Sequence, residues 1–246
     1  VIHPHRIAWR GILLSAGSLR TGDGCDMYFF KSEGKEVKMI GFWNYTVLLT
    51  YLSLASSVCG MVFAFDGKIM SALACLAFSG LCDAFDGRVA RSKKDRTDSE
   101  KMFGIQLDSL CDVVGFGFLP GIICYKLGLQ SPVGVALIIF YCIASVARLA
   151  YYNMLEIEKD GLEQSKHCYY GLPITSIVVI FPVTYYIAYF LPAQLETLVW
   201  ELMLLVTGGL FISNIRVPKP GLRQILLISL GVAALFLAMP FLYYMA

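Results

Sequence analysis

Charge is scarce in this chain. Only 15% of its 246 residues are Asp, Glu, Lys or Arg, and 57% are hydrophobic. Soluble domains carry about 25% charged residues and about 45–50% apolar ones, so this composition excludes an ordinary soluble fold. Histidine is rarer still, with only His3, His5 and His167. The eight cysteines (Cys25, Cys59, Cys75, Cys82, Cys111, Cys124, Cys142, Cys168) show no CxxC or CxxH spacing. Most of them lie in apolar stretches, where cysteine acts as a small hydrophobe, which argues against a disulfide framework or a thiolate zinc site. The start of the chain lacks the charged, apolar and cleavage regions of a secretory signal. A net charge of +2 says little about partners.

What is present is long apolar runs. Seven segments, 43–65, 68–90, 102–127, 132–155, 171–191, 194–213 and 223–245, approach the length of about 20 residues that spans a bilayer as a helix. The expected architecture is an all-α polytopic membrane protein, a helical bundle of about seven transmembrane segments. With the N-terminus inside, all of the 20 Lys and Arg except Lys68 and Lys126 fall on one side. The positive-inside rule makes that side the cytoplasm. Residues 1–38 hold no spanning run and no clear period, and are expected to form a mobile N-terminal extension, with a short interfacial helix before Trp43. The alternative is a start at Met27 or Met39. Residues 39–246 form the membrane-embedded domain.

Against this apolar background, the stretch DAFDGRVAR at 83–91 and GIQLDSLCD at 104–112 stand out. Asp83 and Asp86 are three apart, and Asp108 and Asp112 four apart, so each pair shares one helix face, with Gly104 one turn before Asp108. A short polar loop joins segments 2 and 3, which predicts an antiparallel hairpin with the two pairs facing each other near the cytoplasmic surface. A carboxylate within a membrane costs roughly 3 kcal/mol at the centre and less near the interface. Four together also repel. Divalent cations relieve both costs, and an all-oxygen set with no His or Cys at suitable spacing favours Mg2+ or Mn2+. Four carboxylates can hold two ions, a common clamp for phosphate chemistry. The alternative is that they cap helix ends and pair with Arg88, Arg91 or Lys101. Gly87 and Gly104 open space for a close ligand, and Arg91 at the helix end can fork onto phosphate oxygens. Together these residues describe a diphosphate pocket at the membrane surface.

The pattern Asp83-x2-Asp86-Gly87-x2-Ala90-Arg91, followed by Gly104-x3-Asp108-x3-Asp112, resembles the signature of the CDP-alcohol phosphotransferases, D-x2-D-G-x2-A-R-x8-G-x3-D-x3-D. Here SKKDRTDSEKMF separates Arg91 from Gly104, four residues more than the signature, which is read as a longer cytoplasmic turn. The resemblance covers roughly residues 42–221. It implies a six-helix catalytic core with an extra C-terminal helix, two metal ions, and Asp83, Asp86 and Asp108 as metal ligands. It makes Asp112, also at the metals, the candidate general base. It further implies that Gly87, Ala90, Arg91 and Gly104 line the CDP pocket, that Asn44 borders it, and that the protein forms homodimers.

LDSLCDVVGFGFLPG at 107–121 is similar to the phosphatidylserine synthase branch, as are ARLAYYN at 147–153, YGLPIT at 170–175 and FISNIRVPKPG at 211–221. Gly115 stands where that branch usually has serine, and Tyr151 and Tyr152 replace an Arg-Phe pair. Serine is the acceptor this resemblance favours, with CDP-diacylglycerol as donor and phosphatidylserine and CMP as products. Arg148, within a membrane segment, should face the bundle interior and an anionic partner. A serine carboxylate suits it, with Asn153 adding hydrogen bonds; a snorkelling Arg or an ion pair with an aspartate is the alternative. Two rival functions stand beside this one: transfer to another polar alcohol such as glycerol phosphate or an inositol phosphate, and cation transport through the aspartates. Transport would spread carboxylates through the midplane, whereas these gather at one end of two segments.

Overall fold

The computed structural model describes residues 15–20, 26–32, 35–38, 41–93, 97–159, 168–218 and 231. The chain divides into two units, residues 1–45 and 46–246. In the first, β1 (Ser15–Arg20), β2 (Asp26–Ser32) and β3 (Lys35–Lys38) form an antiparallel meander, with Gly17 opposite Phe29 and Phe30 opposite Val37. The helix expected just before Trp43 is absent among the described residues: Lys35–Lys38 is strand and residues 41–44 are irregular. Tyr28, Phe29, Phe30 and Val37 are all strand formers, which suits pairing better than helix.

The second unit is helical: α1 (Leu48–Phe65), α2 (Ile69–Ser92), α3 (Asp98–Asp112), α4 (Leu119–Lys126), α5 (Pro132–Lys159), α6 (Ile177–Tyr189) and α7 (Ala193–Phe211). A π-helical turn, Val113–Phe118, joins α3 to α4 without a break. Among the described residues, five stretches are long and apolar enough to span a bilayer: Tyr45–Phe65, Ile69–Ala90, Ser99–Lys126, Pro132–Leu155 and Gln194–Phe211. This is a multi-pass integral membrane protein. The sixth expected segment is the shorter apolar helix Ile174–Tyr189, and the seventh, 223–245, lies outside the described residues.

Helix α1 shows how the bundle is held without water to drive it. Its buried stripe is Thr46, Thr50, Ser53, Ser57, Gly60 and Ala64, all small or hydroxylic, while Leu48, Leu52, Val58, Val62 and Phe65 face outward. Lipid is as apolar as leucine, so close backbone approach and interhelical hydrogen bonds supply the association. Ser53 Oγ lies 2.7 Å from Ser79 Oγ on α2, Ser57 Oγ lies 3.0 Å from it, and Ser56 Oγ donates to the Cys75 carbonyl at 2.9 Å. Helix α1 stops where Gly67 takes φ +78° and Lys68 N–H reaches back to the Phe63 carbonyl at 2.8 Å, a Schellman end that turns the chain into α2.

The polar stretch between α2 and α3 is less loop than its composition suggests. Helix α2 runs on to Ser92, and α3 begins at Asp98 behind an N-cap at Thr97. Thr97 Oγ1 accepts from Glu100 N–H at 3.2 Å, Glu100 Oε2 accepts from Thr97 N–H at 3.1 Å, and Lys93 Nζ pairs with Glu100 Oε1 at 2.6 Å. This capping box starts the helix four residues before the apolar run does. The residues expected as a longer turn are therefore in large part an added turn of α3, from Asp98 to Phe103, because the local capping chemistry outweighs their polarity.

Two stretches distant in sequence, 168–171 and 215–218, are one structural feature. Strand β4 (Cys168–Tyr170) pairs antiparallel with β5 (Arg216–Pro218), and Gly171 and Leu172 donate to the Ile215 and Leu210 carbonyls at 2.7 and 3.0 Å. Gly171 has φ +75°, and a Cβ there would lie 2.8 Å from the Phe211 carbonyl oxygen. Gly171→Ala is expected to lower the thermal midpoint of the detergent-solubilised protein, at a conformational cost of about 1–2 kcal/mol plus the clash. Gly67→Ala, where nothing lies within 4 Å, carries only the conformational cost and should lower it less in the same melt.

Candidate functional site

The hairpin of α2 and α3 brings the four aspartates together in two tiers. Asp83 is hydrogen-bonded to Asp112, and Asp86 to Asp108. The antiparallel directions explain the order: Asp83 and Asp112 lie deeper along their helices, Asp86 and Asp108 nearer the connection. Carboxylate oxygens of Asp83, Asp108 and Asp112 all fall within 4.8 Å of one another. Asp86 and Asp112 are buried, Asp83 and Asp108 partly so. Carboxylates this close cannot all be ionised unless a cation or a shared proton lies between them.

This donor set fits a hard divalent cation. It is all oxygen, it converges from two helices, and hard divalent cations prefer carboxylate oxygens. Cys82 and Cys111 are buried beside these aspartates in sequence, yet the convergent set among the described residues is Asp83, Asp108 and Asp112.

Other residues picked from the sequence fall into place to different degrees. Asp83, Asp86, Gly87, Ala90 and Arg91 lie along one stripe of α2, and Gly104, Asp108 and Asp112 along one stripe of α3. Gly87, Ala90 and Gly104 are all partly open. Arg91 occupies the last turn of α2. Asn44 is partly buried ahead of the 3-10 turn Tyr45–Val47 and belongs to the first unit.

The α1 residue set against the carboxylates is Thr50, whose Oγ1 donates to Asp86 Oδ2 at 3.4 Å. Sequence reading missed it. The available signal was the recurrence of Thr46, Thr50, Ser53 and Ser57 at helical spacing in an otherwise apolar segment.

Arg148 and Asn153 sit on the inward side of α5. Arg148 is buried, with its guanidinium carbon 4.5 Å from the centre of the Tyr152 ring. Asn153 Oδ1 accepts from Ser109 Oγ at 2.7 Å, and its Nδ2 donates to Gln106 Oε1 at 3.3 Å. Asn153 thus ties α5 to α3 on both sides of Asp108, a role the sequence did not suggest.

The π turn after Asp112 was also not legible. Tyr141 Oη on α5 donates to the Phe116 carbonyl at 2.7 Å, so a carbonyl at the widened turn finds a partner inside the bundle. Gly115 packs so closely that a Cβ would lie 2.7 Å from Ser57 Oγ and 3.0 Å from Ser79 Oγ. That contact leaves no room for the serine that the phosphatidylserine synthase branch usually carries there, unless those hydroxyls shift.

A CDP-alcohol phosphatidyltransferase family profile matches residues 43–212, most of the chain and every element of this site. The chain belongs to that family. Among curated relatives, the CDP-diacylglycerol–serine O-phosphatidyltransferase of Mycobacterium tuberculosis is 32% identical over 126 residues, 51% of this chain and 43% of that protein. The protein of the same name from Mycobacterium leprae is 28% identical over 192 residues, 78% of this chain and 62% of that protein. The one from Helicobacter pylori is 29% identical over 177 residues, 70% of each. The chain thus spans less than two thirds of the mycobacterial relatives it matches. No solved structure matches it.

For a member of the CDP-alcohol phosphatidyltransferase family, two substitutions separate direct from indirect support of the acidic cluster. Asp83→Asn is expected to abolish tight Mn2+ binding, followed by the paramagnetic resonance of free Mn2+. Thr50→Val keeps the shape but removes the donor to Asp86, and should weaken that binding about tenfold, with Thr50→Ser restoring it.

Proposed function

We propose that the protein transfers the phosphatidyl group of CDP-diacylglycerol to the hydroxyl of L-serine, giving phosphatidylserine and CMP. The observation that carries this reading is the convergence of Asp83, Asp86, Asp108 and Asp112 at one end of two spanning helices. The names of its relatives support the choice of serine. The distribution of basic residues supports a site at the cytoplasmic face, where serine is dissolved, while the acyl chains of donor and product stay in the bilayer. Two Mg2+ or Mn2+ ions held by the four aspartates would, when bound, supply positive charge to the diphosphate.

The protein's own residues do the rest. Gly87, Ala90 and Gly104 leave the two helix stripes low, so a diphosphate can approach the backbone closely. Arg91 offers a planar fork to phosphate oxygens. Arg148 is assigned to the serine carboxylate. Asp112 accepts the proton of the serine hydroxyl as its oxygen bonds to the phosphorus that bears diacylglycerol. The bond from that phosphorus to the CMP oxygen breaks, and CMP leaves. An ordinary carboxylate is a weak base for an alcohol, so the proton moves late, and most of the acceleration comes from positioning and electrostatics. A homodimer is the proposed assembly.

Purified protein given CDP-diacylglycerol, labelled serine and Mn2+ should form labelled phosphatidylserine and release CMP in equal amounts. Turnover with glycerol phosphate or an inositol phosphate but none with serine would overturn the acceptor assignment. Release that needs an ion gradient would favour transport instead. Asp112→Asn should cut turnover at least about a hundredfold while CDP-lipid binding persists, measured by equilibrium binding of the labelled donor.

A further inference from the structure

Asn153 joins α5 to α3 through both ends of its carboxamide. Its Oδ1 accepts from Ser109 Oγ at 2.7 Å, and its Nδ2 donates to Gln106 Oε1 at 3.3 Å, a pairing open to a side chain that both accepts and donates. The bond to part-buried Ser109 is the firmer of the two, since Gln106 is exposed and water competes for it. Gln106 and Ser109, three apart, share one face of α3, while Asp108 and Asp112, four apart, share the face beside it. The clasp therefore bears on the flank of the helix and not on the carboxylates themselves. What it resists is rotation of α3 about its own axis. Side-chain ends lie about 5–6 Å from a helix axis, so a turn of about 10° moves a carboxylate by about 1 Å. Ligands to an ion have to be held within about 0.5 Å. Apolar packing does little to fix that rotation: every residue of α3 from Lys101 to Leu110 is exposed or only part-buried, and Met102 and Leu110 are more than half exposed. Beyond Asp112, Tyr141 Oη donates to the Phe116 carbonyl at 2.7 Å, so α5 holds this segment at a second point.

We infer that Asn153 is a positioning residue for the metal site, setting the rotation of α3 through Ser109 and with it the placement of Asp108 and Asp112, and that it is not a ligand of the acceptor. The inference rests on the reading of the four aspartates as holders of divalent cations. Outer partners that orient metal ligands act on affinity for the ion, so the consequence appears in metal binding before any substrate is added. Because Asn153 and Ser109 act through one hydrogen bond, removing either one removes the same support.

Titration of the full chain in detergent with Mn2+ alone, followed by the paramagnetic resonance of the free ion, tests this. Asn153→Ala and Ser109→Ala are each expected to raise the Mn2+ Kd about tenfold. The double variant should also lose about tenfold, not the hundredfold of two independent sites. Ser109→Thr, which keeps the hydroxyl, should match the unaltered protein. Ser56→Ala is the control for general loosening: it removes a bond from α1 to the Cys75 carbonyl, about two turns from Asp83, and should leave the Kd unchanged. Kd is a property of the folded fraction, so reduced yield does not blur the result. At saturating Mn2+ the serine KM of Asn153→Ala should stay within about twofold of the unaltered protein. An unchanged Mn2+ Kd in Asn153→Ala, additive losses in the double variant, or an equal loss in Ser56→Ala would each overturn the inference. A serine KM that stays raised at saturating Mn2+ would also overturn it and make Asn153 an acceptor ligand. Failure of the unaltered protein to bind Mn2+ more tightly than Asp83→Asn would instead overturn the metal reading on which it rests.

Discussion

Two carboxylates from one helix meet two from another in a setting with little water to separate them, and much of the structure answers to that fact. Asp83 faces Asp112 and Asp86 faces Asp108 across the α2–α3 hairpin. Their mutual repulsion has to be relieved by a cation or by a shared proton. Divalent cations held there would also balance the negative charge of a diphosphate.

Around that cluster the bundle is built to hold helices at fixed register. The hydroxyls of α1 knit it to α2, with Thr50 reaching Asp86 and Ser53 and Ser57 reaching Ser79 further from the connection between α2 and α3. On the other side, Asn153 ties α5 to the turn of α3 that carries Asp108, and Tyr141 holds the π turn that follows Asp112. In lipid such polar contacts carry association that burial from water supplies in soluble proteins. The same contacts hold the helices that carry the carboxylates, so packing and the geometry of the acidic cluster draw on the same side chains.

The legible part of the fold was the part governed by composition along one segment. Of the six apolar runs among the described residues, five are helices of spanning length, because a bilayer demands about 20 apolar residues in a row and little else. Their ends were less legible. Helix α3 starts at Asp98, inside a stretch that reads as polar loop, since Thr97 and Glu100 cap it through side-chain geometry that hydropathy does not register. In the same way, YGLPIT and FISNIRVPKPG read as separate motifs, while the chain uses Gly171 to seat one against the other.

By itself the sequence determined which carboxylates share a face: aspartates three and four apart must do so on a helix, whatever the bundle does. It determined equally that those faces lie at the end of membrane helices, since apolar length and charge are properties of consecutive residues. Only the tertiary structure decided how the tiers pair, that Thr50 rather than a more conspicuous polar residue meets Asp86, and that Asn153 braces α3. It alone stacked Tyr152 on Arg148. Those outcomes depend on the rotation and register of one helix against another, set by close packing among small residues such as Ser57, Ser79 and Gly115. No spacing along a single segment encodes that register.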